Sequence, residues 1–173
     1  QTEGSPIIGV LTRPVTDSDL FDALVNFVSS TPERVLHKSW QIEHDDALAD
    51  KHVLLVEDNP VNRLIAQDLI EQLGMQVSTA ENGKVAIEML NQQSYDAVLM
   101  DLQMPVMDGL EATTVIRKNT AFNTMPIIAM TANAMERQKS ECLSLGMNDF
   151  IPNPIDFDLF KKVMRTWLAG PLK

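Results

Sequence analysis

The feature that most constrains the fold is the alternation of short apolar runs with segments of helical periodicity. Three of the runs are Val53–Val56, Ala97–Met100 and Pro126–Met130. Each is too short for a helix and lacks any polar–apolar alternation, which is typical of strands buried on both faces of a parallel sheet. Between the first two runs, apolar residues from Leu64 to Leu73 recur at helical spacing.

The full pattern from Lys51 to Leu168 contains five strand–helix units. Strands are predicted at 53–56, 75–80, 97–101, 126–131 and 150–151, and helices at 60–73, 83–90, 110–117, 134–145 and 156–168. Alternating elements of these lengths predict a doubly wound α/β domain, in which a five-stranded parallel sheet is flanked by five helices.

The first fifty residues lack this regularity, and we therefore predict a boundary near Asp50. Residues 7–11 read as a strand and residues 18–28 as a helix, which gives an N-terminal strand–helix segment over residues 1–28. A Ser-Ser-Thr-Pro stretch and an acidic run indicate a linker over residues 29–50. Residues 51–173 form the predicted domain.

The charge balance excludes some classes of partner. The 173 residues carry 14 Lys and Arg against 24 Asp and Glu, a formal net charge of −10. Sequence-independent binding of nucleic acid needs a clustered positive surface, so we expect no nucleic-acid partner. No apolar run approaches the roughly 18 residues of a membrane span, and we expect no direct membrane contact.

Polar residues follow several predicted strands at the point where each strand ends. Glu57 and Asp58 follow the first strand, Asp101 ends the third, Thr131 ends the fourth and Asn153 follows the fifth. Carboxyl ends of parallel strands meet at one edge of the sheet, where open α/β sheets bind ligands. A single acid at a strand end is more often a cap or loop residue. The convergence of several polar residues favours a site.

Three carboxylates at one edge repel one another unless a cation lies among them. An all-oxygen acidic site suits Mg²⁺, which keeps several waters and pairs readily with phosphate. An aspartate beside Mg²⁺ can attack phosphorus and form an aspartyl phosphate. The hydroxyl of Thr131 would then donate a hydrogen bond to the phosphoryl oxygens.

Several motifs resemble the CheY-like receiver domains of two-component signalling, whose fold is flavodoxin-like. The matching segments are residues 53–59, 100–109, 128–132 and 146–150, and the spacings from Asp58 to Asp101 and from Asp101 to Thr131 are ordinary for that family. The resemblance covers about two-thirds of the chain. The implied roles are these: Asp101 as phosphoacceptor; Glu57, Asp58, Asp101 and the carbonyl of Gln103 as Mg²⁺ ligands; Thr131 as switch hydroxyl; Phe150 as switch aromatic.

One position departs from the family pattern. The family places a lysine before the proline that follows the fifth strand, and this sequence has Asn153 before Pro154. Asparagine keeps a hydrogen-bond donor and loses the positive charge. The departure leaves open an alternative function, that of a degenerate receiver which only binds a partner protein.

The resemblance implies transfer of a phosphoryl group from a phosphohistidine to Asp101, with a histidine kinase or histidine phosphotransfer domain as partner. The residues of these motifs most resemble those of receivers that belong to hybrid sensor histidine kinases. This chain carries no kinase catalytic region, so we expect kinase activity to reside elsewhere in a parent protein. We expect a cytoplasmic location, with the parent anchored in the inner membrane. A DNA-binding regulator is a weaker alternative, because the chain is acidic.

The N-terminal segment echoes the end of the predicted domain. Residues 12–15 and 19–21 resemble residues 152–155 and 158–160. We therefore predict that residues 1–28 are the remnant of a preceding receiver-like domain. No acidic pair or phosphoacceptor run precedes this segment, so it cannot carry out receiver chemistry itself.

Overall fold

The computed structural model describes residues 45–131 and 136–169, apart from the side chains of residues 136–138. These residues belong to one compact unit that spans Ile42–Lys173. The strands are β1 (His52–Val56), β2 (Gln76–Ala80), β3 (Ala97–Asp101), β4 (Ile127–Thr131) and β5 (Asp149–Pro152). The helices are α1 (Pro60–Gln72), α2 (Gly83–Leu90), α3 (Gly109–Lys118), α4 (Glu136–Ser144) and α5 (Phe157–Leu168), with a short 3₁₀ turn at Thr120–Phe122.

The five strands form one sheet in the order β2-β1-β3-β4-β5, and every neighbouring pair is parallel. This arrangement confirms the predicted doubly wound fold. The strand order reverses at β1, so the crevice beyond its carboxyl end lies between β1 and β3. The residues that follow Val56, and Asp101 at the end of β3, therefore lie at the place where this fold binds ligands.

The strands are buried on both faces, as the apolar runs predict. Val53–Val56 are all fully buried. Leu54 and Val56 pack into one core cluster, whereas Val53 and Leu55 pack into the other. Successive side chains of a strand point to opposite faces, so one continuous apolar run serves two helix layers.

Side-chain caps fix where the helices begin. Asn59 accepts hydrogen bonds from the backbone N–H groups of Val61 and Asn62 at the start of α1. Asp108 caps α3 by accepting from the N–H of Glu111 at 2.8 Å. These caps satisfy donors that the first helical turn leaves unpaired. Both lie in loops that follow strands at the crevice, so they also set the course of those loops.

The fifth strand is longer than residues 150–151, the range predicted from the sequence. It runs from Asp149 to Pro152 and pairs only with β4. An edge strand tolerates polar residues and a terminal proline, because one of its sides has no ladder partner. These residues weaken the apolar signal and hide the ends of the strand.

Residues 45–50, the last part of the predicted linker, pack against the domain. Residues 45–50 form a turn whose Leu48 is fully buried in the core beside α5. Asp45 lies 3.2 Å from Arg165 of α5, and the N–H of Asp50 donates to the carbonyl of Gly74. One leucine among acidic residues gives no periodic signal, so only packing shows that the turn belongs to the domain. The predicted segment 1–28 and the rest of the linker lie outside the described residues.

No helix in the described part of the chain is long and apolar enough to cross a membrane.

Candidate functional site

Glu57, Asp58 and Asp101, here called the acidic cluster, meet at the crevice between β1 and β3. One side-chain oxygen from each lies within 4.8 Å of the others. Glu57 and Asp58 directly follow β1, and Asp101 is the last residue of β3. The structure therefore brings together the three carboxylates that the strand ends predict.

The first turn of α1 holds Glu57 by both its side chain and its backbone. The N–H of Asn59 donates to Oε1 of Glu57 at 3.1 Å, and Nδ2 of Asn62 donates to the same oxygen at 3.4 Å. Nη1 of Arg63 donates to the carbonyl oxygens of Glu57 at 2.8 Å and Asp58 at 3.4 Å. Sequence reasoning missed the roles of Asn62 and Arg63. Their position one turn after a helix cap at the strand end is the signal that points to them.

Electrostatics in the cluster favour a cation. Glu57 is only 3% exposed, and burial raises the pKa of its carboxyl, with the charge of Asp101 adding to the rise. Hydrogen bonds from Asn59 and Asn62 oppose this shift. Close like charges in a partly dry site disfavour ionisation of one another. A bound cation would remove that penalty, and hard carboxylate oxygens fit Mg²⁺.

Asp101 is half-buried, and its backbone surroundings are specific. Burial raises the pKa of its carboxyl, as does the charge of Asp58, whereas backbone hydrogen bonds from Gln103 and Leu102 lower it. The N–H of Gln103 donates to Oδ1 of Asp101 at 3.2 Å. One oxygen of Asp101 is thus oriented by the loop that follows β3. A metal-binding role for the Gln103 carbonyl stays a prediction.

Thr131 and Asn153 are linked through the backbone. Asp101 is opposite Met130 in the β3–β4 register, so Thr131 lies one residue further along the neighbouring strand. The N–H of Asn153 donates to the carbonyl of Thr131 at 2.7 Å. The residue predicted to replace the family lysine is therefore bonded to the predicted switch threonine.

Phe150 lies on β5, opposite Ala129 of β4, and is half-buried against one core cluster. Nζ of Lys139, on α4, lies 4.3 Å from the centroid of the Phe150 ring. A cation over an aromatic face is attracted to the ring, by about 0.5–1 kcal/mol at an exposed site. No motif or spacing singles out Lys139 as a contact of the predicted switch aromatic.

Gly109, the first residue of α3, closely approaches the end of β3. A Cβ atom added there would lie 2.2 Å from the carbonyl oxygen of Asp101, far inside van der Waals contact. Its own N–H donates to the carbonyl of Leu102 at 3.3 Å. Only glycine lets α3 start this close to Asp101.

Comparison with known proteins agrees with the geometry. The model of the response regulator receiver domain family matches residues 53–165. Sensor protein GacS of Pseudomonas syringae pv. syringae is 42% identical over 124 residues, which cover 70% of this chain and 14% of that protein. Signal transduction histidine-protein kinase BarA of Escherichia coli is 31% identical over 160 residues, covering 92% and 17%. The chain thus spans under a fifth of these relatives.

Two solved structures share the fold. One is the receiver domain of a Pseudomonas aeruginosa sensor histidine kinase, which holds a magnesium ion in its active site cleft. It is 38% identical to this chain, with a TM-score of 0.66, and the match covers 70% of this chain and all of that one. A Saccharomyces cerevisiae receiver domain, solved with a histidine phosphotransfer protein, is 27% identical with a TM-score of 0.66, covering 70% and 91%.

The alternative of a degenerate receiver gains no support from these matches. The acidic cluster is intact, and Thr131 ends β4 in the predicted position. The family model covers the strand–helix array from the second residue of β1 to within three residues of the end of α5. In fold and in the matched residues, this chain belongs to the response regulator receiver domain family.

Proposed function

We propose that Asp101 accepts a phosphoryl group from a phosphohistidine in a phosphorelay. A carboxylate oxygen of Asp101 attacks phosphorus, the P–N bond breaks, and the histidine nitrogen keeps the electron pair and takes up a proton. The observation that carries this proposal is the meeting of the Glu57, Asp58 and Asp101 oxygens within 4.8 Å at the crevice of the sheet.

We infer that Glu57, Asp58, Asp101 and the carbonyl of Gln103 hold Mg²⁺ during the transfer. When bound, the ion supplies Lewis-acid stabilisation of charge on the phosphoryl oxygens. The chain contributes orientation: α1 holds Glu57, and the N–H of Gln103 orients Asp101. The magnesium ion in the cleft of the related Pseudomonas receiver supports this assignment.

Thr131 and Phe150 are proposed to report the phosphorylation. The hydroxyl of Thr131 would donate to a phosphoryl oxygen, because it follows the residue opposite Asp101 on β4. Movement of Thr131 would reach β5 through the hydrogen bond from the N–H of Asn153 to the Thr131 carbonyl. Phe150 lies on that strand and would change its packing in turn.

The exposed face of α1 is the proposed contact for the histidine-containing partner. Val61, Leu64 and Ile65 are large apolar side chains with exposed fractions of 63%, 68% and 52%. They share one helical face in the turns that follow Asn59, which itself contacts Glu57. A phosphohistidine must reach Asp101, so its carrier covers the crevice and the start of α1. The related receiver solved with a histidine phosphotransfer protein supports this class of partner.

We place the chain in a parent hybrid sensor histidine kinase with the receiver in the cytoplasm. The relatives named as sensor proteins and histidine kinases support this, each matching over a small part of its length. Kinase activity would belong to other parts of the parent.

The N-terminal residues 1–28 are proposed to be the remnant of a preceding receiver-like domain, joined by a linker that ends before Asp45. The alignment with the Escherichia coli relative covers 92% of this chain and therefore extends into the first fifty residues. Limited proteolysis should cut between Ser29 and His44 and leave a folded core. Equal resistance of these residues and the core would contradict the proposed linker.

Phosphorylation of Asp101 is tested with acetyl phosphate and Mg²⁺, followed by mass spectrometry of the whole chain and its peptides. One phosphoryl group should appear on the peptide that contains Asp101. Asp101→Asn should abolish the label, whereas Asp68→Asn, which removes an exposed carboxylate on α1, should leave it. Label elsewhere, or none with Mg²⁺ present, would contradict the proposal.

A further inference from the structure

A cavity of about 120 Å³ lies beside the acidic cluster, next to α1 and the residues that follow β5. Its wall has two kinds of surface. Glu57, Asn62 and Asn153 supply a polar part. The apolar part includes Ile65, Met130 and Ile155. The cavity therefore has a polar surface next to an apolar one. Glu57 belongs both to its wall and to the acidic cluster.

The negative charge of the acidic cluster is not balanced by any basic side chain that the structure describes. Among the side chains of residues 45–131 and 139–169, no ion pair joins Glu57, Asp58 or Asp101 to a basic group. Arg63 is near, but its Nη1 donates to main-chain carbonyl oxygens. One divalent cation leaves the three carboxylates net negative, and a phosphoryl group on Asp101 adds further negative charge. A second positive group beside Glu57 would stabilise that state.

The walls select the chemical class of this second group. A small metal ion would lose water against the apolar side chains without compensation. An alkylammonium group fits both surfaces, because its stem packs on Ile65 and Ile155 while its ammonium reaches Glu57 and Asn153. Resting on the proposed function, we propose that the cavity binds an alkylammonium group, the side chain of a lysine that the histidine-containing partner inserts beside Glu57.

The partner is the source because of where it must sit. It brings a phosphohistidine to Asp101 and so covers the crevice. Ile65 belongs both to the exposed α1 face and to the wall of the cavity, so the two surfaces are continuous. Asn153 offers hydrogen bonds at this place without a charge. The cation that the described side chains do not provide is thus delivered together with the phosphoryl group.

The binding test uses n-butylammonium chloride as the probe on the full chain with Mg²⁺. NMR titration should shift the methyl signals of Ile65 and Ile155 and the side-chain amide of Asn153, with saturation. n-Butanol, which has the stem without the charge, and tetramethylammonium, which has the charge without the stem, should shift them far less at matched ionic strength. Equal shifts with n-butanol, or no saturable shift, would overturn the proposal.

The functional test measures the rate at which acetyl phosphate labels Asp101. n-Butylammonium should raise this rate, and Asn153→Lys should raise it roughly tenfold and remove the response to the probe. Asn153→Met fills the cavity without charge, so it should remove the response to the probe as Asn153→Lys does, but without the rise in rate. Equal rates in the Lys and Met variants would overturn the proposal. If Asp101 takes up no label at all, the proposed function is wrong. The NMR titration would still show whether the cavity binds an alkylammonium group.

The source of the lysine is tested with a histidine phosphotransfer protein phosphorylated by phosphoramidate. Acetylation of its lysines removes their charge. The acetylated donor should label the parent chain more slowly than the untreated donor does, but label Asn153→Lys at an undiminished rate. Slowing by the same factor in both chains, or in neither, would show that no partner lysine acts at this cavity.

Discussion

The two ends of the β-strands treat their carboxylates in opposite ways. At the amino end, Asp96 accepts hydrogen bonds from Nζ of Lys51 at 3.0 Å and the N–H of His52 at 2.9 Å. Burial alone would raise the pKa of Asp96, but these partners hold it below its ordinary value. At the carboxyl end, burial and neighbouring carboxylates raise the pKa of Glu57 and of Asp101.

The difference separates stability from function within one sheet. Lys51 and His52 balance the charge at the amino end, so that end needs no ligand. The acidic cluster has no such cation among the described side chains, and a bound cation would relieve its repulsion. Charges that stay unbalanced in the folded chain are the mark of a site. Four sets of substitutions test this contrast.

The largest effect is expected on the metal. Asp58→Ala should weaken Mg²⁺ binding by at least about 100-fold, because loss of a direct ligand should cost more than loss of an outer-shell partner, which costs about 10–100-fold. Asp96→Ala, at the opposite end of the sheet, should leave the affinity unchanged. The measurement is a Mg²⁺ titration followed by NMR of backbone amides. Wild-type affinity in Asp58→Ala would remove this residue from the site.

The next effect concerns the rigidity of the carboxyl end. Gly109→Ala places a Cβ 2.2 Å from the carbonyl oxygen of Asp101, and we expect a loss of about 3 kcal/mol in the free energy of unfolding. Glu88→Ala, on the exposed side of α2, is the control and should change little. Chemical denaturation gives both values. A fully stable Gly109→Ala would show that α3 can retreat from β3 without cost.

Replacing one aspartate at each end of the sheet by asparagine should change the free energy of unfolding in opposite directions. At neutral pH without Mg²⁺, Asp101→Asn should stabilise the chain, because it removes a carboxylate whose pKa is raised by folding. Asp96→Asn should destabilise it by less than about 1 kcal/mol, because the Asp96 side chain is 37% exposed and solvent screens its ion pair.

The pH dependence follows from the same directions. The penalty from Asp101 is full above its raised folded pKa and vanishes once pH falls below its ordinary value, so the gain from Asp101→Asn should disappear in acid. The contribution of Asp96 is full above its ordinary pKa and is lost as pH falls through the lowered one. Chemical denaturation of both variants from acid to neutral pH measures these changes in the free energy of unfolding. Changes of the same sign in Asp101→Asn and Asp96→Asn at neutral pH would contradict the contrast between the two ends of the sheet.

The smallest effect concerns the backbone. Val106, in the loop after β3, has φ 71° and is 78% exposed, whereas the comparable residue before β1 is Asp50 with φ 65°. Aspartate tolerates the left-handed region, but a β-branched residue is strained there. Val106→Asn should raise the free energy of unfolding by about 1 kcal/mol. Asp50→Asn, a matched change, should have no effect, and equal effects of the two would refute local strain.

The sequence predicted the features that arise from local pattern. Apolar runs locate the strands because each strand is buried on both faces, and their ends then locate Glu57, Asp58 and Asp101. Parallel pairing does the rest, since it brings all carboxyl ends to one edge. The site was readable because its residues sit at positions that the fold itself defines.

The features that the sequence could not reveal depend on contacts between distant segments. The burial of Leu48 requires α5 to be in place, and no periodicity marks it. The contact of Lys139 with Phe150 joins α4 to β5. The support of Glu57 by Asn62 depends on the angle at which α1 leaves β1. Each is a matter of geometry rather than of residue type.

The docked turn at residues 45–50 has a consequence for anything attached upstream. Because Asp45 is fixed against Arg165, the point at which a covalent tether leaves the domain moves from Lys51 to Asp45. At roughly 3.3–3.6 Å per extended residue, this shortens the reach of the tether by about 20 Å. A shorter tether confines an attached phosphodonor to a smaller volume and raises its effective concentration, provided that it still spans the distance to Asp101.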